Sequence, residues 1–347
     1  MGVSRRMDAS RLLELRRREF LARTSALSAA GLLGLPRHAL AADPPPETTR
    51  IRLQDAPITC WAPMYLAEAL LKAEGFTEVE YVKTPLAEGP NPALAEGRID
   101  LAENDTAAHM ISLDHGAPIV VLGGIHTGCW ELFAQPSIHS LLDLKGKTVA
   151  APERSSRQAF VAAMIASVGL DPRKDVTWIN HAPAESMRLF EQGRIDAFMG
   201  FVPEPQELRA RKIGRVLINT LTDHPWSLYF CCLAASNREF VRKNPVATKR
   251  ALRALLKATD LCVSQPERAA RLMVERGVAL NYDYDYVLQS VKEIGFRKWR
   301  EYEAEDTMRF WSLRLREVGI IKSDPKKLLA KGTDWRFINE LKKELKA

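Results

Sequence analysis

Short apolar runs alternate with stretches of helical periodicity from about residue 50 onward. Short apolar runs bounded by turn residues indicate strands, and apolar residues recurring at helical spacing indicate helices. Alternation of the two is the pattern of an α/β sheet. The strands predicted in this way are 51–53, 79–82, 99–102, 119–122, 148–151, 176–179, 195–198, 216–218 and 228–236.

The phrase GRID occurs twice, in LAEGRIDLA at 94–102 and in LFEQGRIDAF at 189–198. At both places we expect an amphipathic helix to end at the glycine in a left-handed conformation, and the isoleucine to begin a buried strand. Common loop usage explains a four-letter match equally well. The order of neighbouring elements also repeats, with helices predicted at 156–168 and 184–192, and this favours two lobes of one construction.

The chain leaves the first lobe and returns to it. The second set of strands starts after about residue 127, and the strand 228–236 is predicted to rejoin the first lobe. We therefore predict a first lobe of 42–126 plus 226–347, which includes the C-terminal helices, and a second lobe of 127–225. Two crossing segments then join two α/β sheets and form a hinge.

The first 41 residues predict an export signal. Three consecutive arginines precede an apolar run of small residues and a small-x-small site that ends at Ala41, which is the layout of a cleaved signal peptide. The apolar run is shorter than the roughly 20 residues that span a bilayer. The letters RREFL resemble the twin-arginine export signal, so a mature chain in the periplasm is expected from about Ala42.

Charge argues against a nucleic-acid partner. The net charge is +7, but eight arginines and three acids in residues 1–41 account for +5 of it, leaving +2 for residues 42–347. A domain that binds nucleic acid carries clustered basic residues in its folded part. We therefore expect no nucleic acid to bind.

Five cysteines, an odd number, leave at least one thiol unpaired in a monomer. Cys231 and Cys232 are adjacent in the predicted strand 228–236, where alternation directs them to opposite faces, so no bond between them is expected. We interpret the cysteines as small buried apolar side chains. His126 and Cys129 are close along the chain, but no CxxC or HExxH spacing accompanies them, so no metal and no cofactor is predicted.

The chain resembles periplasmic solute-binding proteins of the nitrate, sulfonate and taurine type, whose fold is shared with fungal thiamine-pyrimidine synthases. The resemblance implies a type II binding-protein fold and a non-enzymatic monomer that delivers a small solute to an inner-membrane ABC permease with its ATPase. It extends over about residues 50–345. The strings that carry it are LAEGRIDLA, HGAPIVVLGGI, SIHSLLDLKGKTVAAPERSS, VGLDPRKDVTWIN, LFEQGRIDAFMGFVPEP and LREVGIIKSDPKKL.

The chain departs from that family's pattern at three places in the expected cleft. Arg154 replaces a glycine before the serine pair, 201–205 reads FVPEP, and 103–106 reads ENDT. The solute is therefore not carried over from nitrate, sulfonate or taurine binders. Acidic and basic residues are mixed in these loops, which suits a polar, zwitterionic or anionic organic solute.

Ligands of open α/β sheets bind beyond the carboxyl ends of the strands, where helix N-termini present free N–H groups. Most residues that this rule selects have a structural alternative: Trp61 and Trp226 fill a core, and Asp105, Ser155 or Ser156 caps a helix. No nucleophile-base spacing is evident, so no catalytic residue is predicted. The predicted ligand-binding residues are Trp61, Asn104, Asp105, Thr127, Ser155, Ser156, Arg157, Glu204 and Trp226.

Two other functions stay open on the sequence. One is an enzyme related to the thiamine-pyrimidine synthases, with His126, Cys231 and Cys232 as the hint. Those synthases work inside the cell, so the export signal argues against this function. The other is a periplasmic sensor domain that hands its solute to a receptor.

Overall fold

The computed structural model describes residues 44–86, 88–279 and 282–346. The signal peptide predicted for 1–41 lies outside the described residues. All elements below lie in the unit Pro45–Ala347. The strands are β1 Arg50–Asp55, β2 Glu78–Lys83, β3 Leu101–Asp105, β4 Ile119–His126, β5 Trp130–Ala134, β6 Lys147–Ala150, β7 Val176–Ile179, β8 Ala197–Phe201, β9 Arg215–Asn219 and β10 Cys232–Asn237.

Helices separate the strands and form most of the C-terminal part. Short 3-10 turns complete the chain at Thr59–Trp61, Leu141–Leu144, Trp226–Leu228 and Phe296–Arg300. The α-helices are α1 Ala62–Ala73, α2 Asn91–Ala95, α3 Thr106–Asp114, α4 Ser156–Ser167, α5 Pro183–Glu191, α6 Glu204–Ala210, α7 Arg238–Lys243, α8 Pro245–Ser264, α9 Pro266–Glu275, α10 Tyr284–Glu293, α11 Ala304–Glu317, α12 Pro325–Gly332 and α13 Arg336–Glu344.

The strands form two five-stranded sheets with the same plan. Their orders are β2-β1-β3-β10-β4 and β7-β6-β8-β5-β9. In each sheet four strands are parallel and one, β10 or β5, is antiparallel. The antiparallel strand is the first strand after a crossing, because the chain enters each sheet from the side opposite to its parallel strands. The predicted α/β fold with two sheets is confirmed.

The two GRID phrases form the same joint in the two sheets. Gly97 and Gly193 both have φ of 69°, the left-handed conformation that favours glycine after a helix. Asp100 accepts a hydrogen bond from the backbone N–H of Arg52 in β1, at 2.8 Å. Asp196 accepts the equivalent bond from Thr148 in β6, also at 2.8 Å. The aspartate therefore ties β3 to β1 in the first sheet and β8 to β6 in the second.

Most predicted strands appear within two residues of their expected ends, and the differences have simple causes. The GRID isoleucines are buried but precede β3 and β8, which begin two residues later, because the aspartate turn comes first. Only the end of the predicted strand 228–236 was right, since Trp226–Leu228 is a 3-10 turn and β10 starts at Cys232. The sequence reading missed β5, which lies in the segment taken as a crossing.

The long helix α8 begins after Asn244 with Pro245 at its first position, where a missing N–H costs nothing. Its face with Ala251, Leu255 and Ala258 is buried, as the helical spacing predicts. Among the described residues we find no helix with the length and apolar character needed to cross a membrane.

Candidate functional site

The chain crosses between the two sheets twice, after β4 and after β9. Where the first sheet meets these crossings, the ends of its strands form a polar edge. Cys232 at the start of β10 lies opposite Asp105 at the end of β3 and opposite His126 at the end of β4. These three residues are therefore side by side, and we call them the first edge. Because β4 runs directly into the first crossing and β10 directly follows the second, the edge adjoins both.

The second sheet meets the crossings in the same way. Trp130 at the start of β5 lies opposite Phe201 at the end of β8. Glu131 lies opposite Asn219 at the end of β9. We call these four residues the second edge. The carboxyl ends of the parallel strands of both sheets thus adjoin the same two crossings, which is where ligands of such sheets bind.

A buried acid and a buried histidine meet beside the first edge. Glu103 Oε1 lies 3.0 Å from His126 Nε2, and neither side chain is exposed to solvent. Burial raises the pKa of Glu103, and His126 offsets part of the rise. Burial alone would lower the pKa of His126, but Cys232 and Glu103 outweigh it and hold that pKa well above its usual value. The two groups therefore attract one another, although their atoms do not form a well-aligned hydrogen bond.

Cysteines surround this histidine. Cys129 Sγ lies 3.5 Å from His126 Nδ1, and ligand atoms of Cys60, His126, Cys129 and Cys232 all lie within 4.8 Å of one another. All five cysteines are free and buried, as the interpretation as buried side chains expects. Cys231 precedes β10 and its Sγ lies 3.8 Å from that of Cys232, so the expectation that strand alternation separates the two was wrong.

An arginine and a glutamate form an ion pair near the second edge. Arg157 donates to both carboxylate oxygens of Glu204, at 2.7 and 2.9 Å. It also donates to the Met199 carbonyl and lies over the rings of Trp130 and Phe198. Glu204 further accepts from the Phe201 N–H at 2.8 Å. The two predicted site residues therefore neutralise one another.

We call the two sheets with their helices the two halves of the structure. Side chains of the two halves approach one another between the edges. Burial raises the pKa of the Asp105 carboxyl, and the Ala108 N–H and the nearby Ser156 hydroxyl at the start of α4 offset part of the rise. Asp105 is also the N-cap of α3, accepting from the Ala108 N–H at 2.9 Å. The structure thus brings together one predicted residue from each sheet.

Further contacts join the two halves beside the second edge. Gln206 of α6 donates to Glu293 of α10 at 2.9 Å. The rings of Phe160 in α4 and Trp311 in α11 meet edge to face, with centroids 4.6 Å apart. Several separate contacts therefore hold the two halves against each other.

The other predicted site residues are mostly inside the protein. Trp61 is 2% exposed and its indole Nε1–H has no hydrogen-bond partner among the described residues. Asn104 is buried, and its Oδ1 accepts from the next backbone N–H at 2.9 Å. Trp226 is buried and stacks on Trp311, with centroids 5.6 Å apart. Their role in binding a solute stays a prediction.

Two more predicted residues have defined backbone roles. Ser155 is the N-cap of α4, accepting from the Gln158 N–H at 3.3 Å. Thr127 pairs with Gly295 across the first crossing, where the Gly295 N–H donates to the Thr127 carbonyl at 3.1 Å. A Cβ on Gly295 would lie 2.2 Å from Thr127 Oγ1, so this close approach requires glycine.

A cavity of about 20 Å³, lined in part by Cys129, Trp130, Glu131 and Gln206, lies beside the first crossing, and such a volume holds about one water molecule. Burial raises the pKa of Glu131 to about 7, although Arg209 opposes the rise. A groove of about 410 Å³ between α1 and α9 includes no residue of either edge, so we do not place the site there.

The predicted ligand-binding residues did not include Glu103, Trp130 or Glu131. Glu103 lies in ENDT, which was recognised as unusual, but the acid was not separated from its neighbours. Trp130 and Glu131 belong to β5, which was not predicted, and alternating burial gives no signal because all of β5 is buried.

Comparison with known proteins gives a consistent result. A Brucella abortus (strain 2308) chain described as a binding protein is 26% identical over 177 residues, 51% of this chain and 55% of that one. The chain thus spans about half the length of that curated relative. An Escherichia coli (strain K12) chain described as an aliphatic sulfonates-binding protein is 28% identical over 257 residues, 72% of this chain and 77% of that one.

A solved structure shares the fold. The periplasmic nitrate-binding protein NrtA from Synechocystis PCC 6803 superposes with a TM-score of 0.73 at 16% identity, covering 87% of this chain and 90% of that one. The chain therefore has the fold of periplasmic binding proteins. Residues 59–269, more than half of the sequence, match the family described as NMT1/THI5 like. The chain belongs to the NMT1/THI5-like family.

Proposed function

We propose that this protein is the extracytoplasmic solute-binding component of an ABC importer and that it encloses a small polar organic solute between the first and second edges. The observation that carries the proposal is the proximity of the Ser156 hydroxyl to the Asp105 carboxylate, which brings the N-terminus of α4 close to the carboxyl end of β3. Relatives with this fold are described as nitrate-binding and sulfonate-binding proteins.

The charges between the edges suggest what kind of solute is bound. Arg157 is satisfied by Glu204, so its charge is not available to neutralise a free anion. The free N–H groups at the start of α4 and the Ser156 hydroxyl suit an acidic group. The unpartnered indole N–H of Trp61 suits an acceptor, and Asp105 suits a cationic or donor group. A zwitterionic or polar anionic solute satisfies all three.

The Cys129 thiol and His126 imidazole are the closest approach to a catalytic pair in the described residues, at 3.5 Å. Burial and neighbouring thiols raise the pKa of Cys129 well above its usual value, and the side chain is 1% exposed. A reactive cysteine needs a thiolate and access to substrate. We therefore favour binding over catalysis.

A screen of solutes tests the proposal. The folded chain is heated with nitrate, alkanesulfonates, aromatic acids, pyrimidines and amino acids, each tested separately, and the melting temperature is recorded. A specific solute raises it because it binds only the folded state. We expect one chemical class to do so, with a single site by calorimetry. Conversion of the solute into a product would instead favour the synthase-like function.

Export to the periplasm is part of the same proposal. Replacing Arg17 and Arg18 by lysine is expected to leave the chain in the cytoplasm, because the twin-arginine route depends on that pair. Cell fractionation measures the result, and N-terminal sequencing of exported protein should begin near Ala42. Unchanged export of the double variant contradicts this part of the proposal.

A further inference from the structure

Three separate segments bring four potential metal ligands to one place beside the first edge. Cys60 comes from the turn after β1, His126 and Cys129 from the end of β4 and the first crossing, and Cys232 from the start of β10. The four ligand atoms lie within 4.8 Å of one another, and all four residues are buried. We propose that this Cys3His cluster binds one zinc ion.

The spacing is close to that of a tetrahedral zinc site. With Zn–S near 2.3 Å and Zn–N near 2.05 Å, a tetrahedron separates two sulfurs by about 3.8 Å and a sulfur from a nitrogen by about 3.6 Å. Cys129 Sγ and His126 Nδ1 are 3.5 Å apart. The remaining pairs need to approach by at most about 1 Å to reach the ideal separations, which small rotations of the side chains provide.

Glu103 lies where the outer partner of a zinc-bound histidine would be. Zinc-bound histidines usually donate their second N–H to a carboxylate, which fixes the ring and the tautomer. Glu103 Oε1 lies 3.0 Å from His126 Nε2, on the side of the ring away from Cys129. This leaves Nδ1 as the lone-pair nitrogen that faces the thiols. Neither carboxylate oxygen has a hydrogen-bond partner of good geometry among the described residues.

A zinc ion explains features of this cluster that a disulfide or an apolar core does not explain. The thiols are free, so a disulfide does not account for their proximity. A purely apolar core would not contain a buried carboxylate and imidazole, which are costly to bury. Three thiolates and one imidazole are the ligand set of a closed structural zinc site, and buried soft ligands favour such an ion over calcium or magnesium.

A bound ion would connect the first lobe's opening turn to both crossings. Cys60 precedes α1, Cys129 lies in the first crossing, and Cys232 ends the second. Metal binding to such a set contributes directly to folding. We therefore expect zinc to raise the melting temperature of the chain. The site does not depend on the solute proposal, because its readouts use the metal alone.

The test uses the full chain, purified under reducing, oxygen-free conditions. Bound zinc is counted by elemental analysis and its affinity measured by competition with a coloured chelator. Cobalt(II) serves as a spectroscopic probe, since thiolate ligands give charge-transfer bands and intense visible bands. The variants are Cys60→Ala, Cys129→Ala and Glu103→Gln, with Cys262→Ala as the matched control, because Cys262 is buried but lies outside the cluster.

We expect one zinc per chain, a tetrahedral thiolate spectrum with cobalt, and loss of stoichiometric zinc in the two cluster variants. Glu103→Gln should weaken binding about 10-fold to 100-fold, and Cys262→Ala should leave it unchanged. The wild-type stoichiometry and spectrum remain decisive if a variant fails to fold. The proposal is overturned by a wild-type chain with free thiols and no zinc, by equal binding in Cys129→Ala, or by a disulfide within the cluster of the exported protein.

Discussion

The two edges hold their ionisable pairs in different ways. Arg157 and Glu204, near the second edge, share two short hydrogen bonds and have further partners on the backbone. Glu103 and His126, beside the first edge, lie 3.0 Å apart without exposed surface, and the carboxylate oxygens have no well-formed hydrogen bond. A buried polar group without a partner costs free energy. Glu103 and His126 therefore indicate a place where something else binds, whereas Arg157 and Glu204 support the structure.

The largest expected loss of stability comes from breaking the Glu103–His126 pair. His126→Leu leaves Glu103 buried without its partner, and losing one member of a buried pair costs about 3–5 kcal/mol. Urea unfolding measures the loss. The double variant Glu103→Leu/His126→Leu should recover much of it, because both costly groups are gone. A loss below about 1 kcal/mol in the single variant would show that the pair is not coupled.

A second buried histidine of the first sheet sharpens the comparison. His109 in α3 is fully buried, with Nε2 3.0 Å from the Leu233 carbonyl. No carboxylate of the described residues contributes to its pKa, which burial lowers from 6.5 to about 4. The unfolded chain therefore binds a proton more readily below pH 6.5. Stability from this group is complete above pH 6.5 and is lost as the pH falls through 4.

The expected loss follows from the size of that shift. At about 1.4 kcal/mol per pKa unit, His109 alone contributes up to about 3 kcal/mol between these pH values. Melting temperatures of the wild type and His109→Gln, measured from pH 7 to pH 4, give the difference. We expect the variant to show the shallower decline. Parallel pH profiles would mean that His109 is not held neutral.

A smaller loss of stability is expected from breaking the ion pair near the second edge. The side chains of Arg157 and Glu204 are 11% and 13% exposed, and charge-assisted hydrogen bonds contribute about 1.5–3 kcal/mol. Arg157→Met should therefore cost about 2 kcal/mol in urea unfolding. Adding Glu204→Gln to that variant should change stability little, since its partner is already missing. An additive second loss would contradict a coupled pair.

Local patterns in the sequence were enough to predict the fold. Helix and strand periods, together with the GRID repeat, predicted the α/β class and all strands except β5. That strand is buried along its whole length, so it has no alternation to reveal it. The repeat predicted the left-handed glycines, but the hydrogen bonds of Asp100 and Asp196 depend on which strands become neighbours.

The candidate site was predicted only in part, because the spacing of residues along the chain does not show which residues meet across the fold. The sequence pointed to the loops that hold Asp105 and Ser156, and these two residues lie close enough for Ser156 to lower the pKa of Asp105. It gave no sign that Arg157 and Glu204, 47 positions apart, neutralise each other. The expectation of no metal rested on the spacing of Cys and His along the chain. That criterion does not detect side chains that three separate segments bring together, as they do Cys60, His126, Cys129 and Cys232.

The central claim is that a solute binds between the two edges, and calorimetry tests it most directly. The solute that gives the largest thermal shift is titrated into the wild type, Ser156→Ala, Trp61→Phe and Ser167→Ala. Ser167, exposed at the far end of α4, is the matched control for Ser156. Losing one hydrogen bond to a charged group should raise the Kd about tenfold in Ser156→Ala and Trp61→Phe, with Ser167→Ala unchanged. Equal dissociation constants in all four proteins would contradict the claim and place the solute elsewhere.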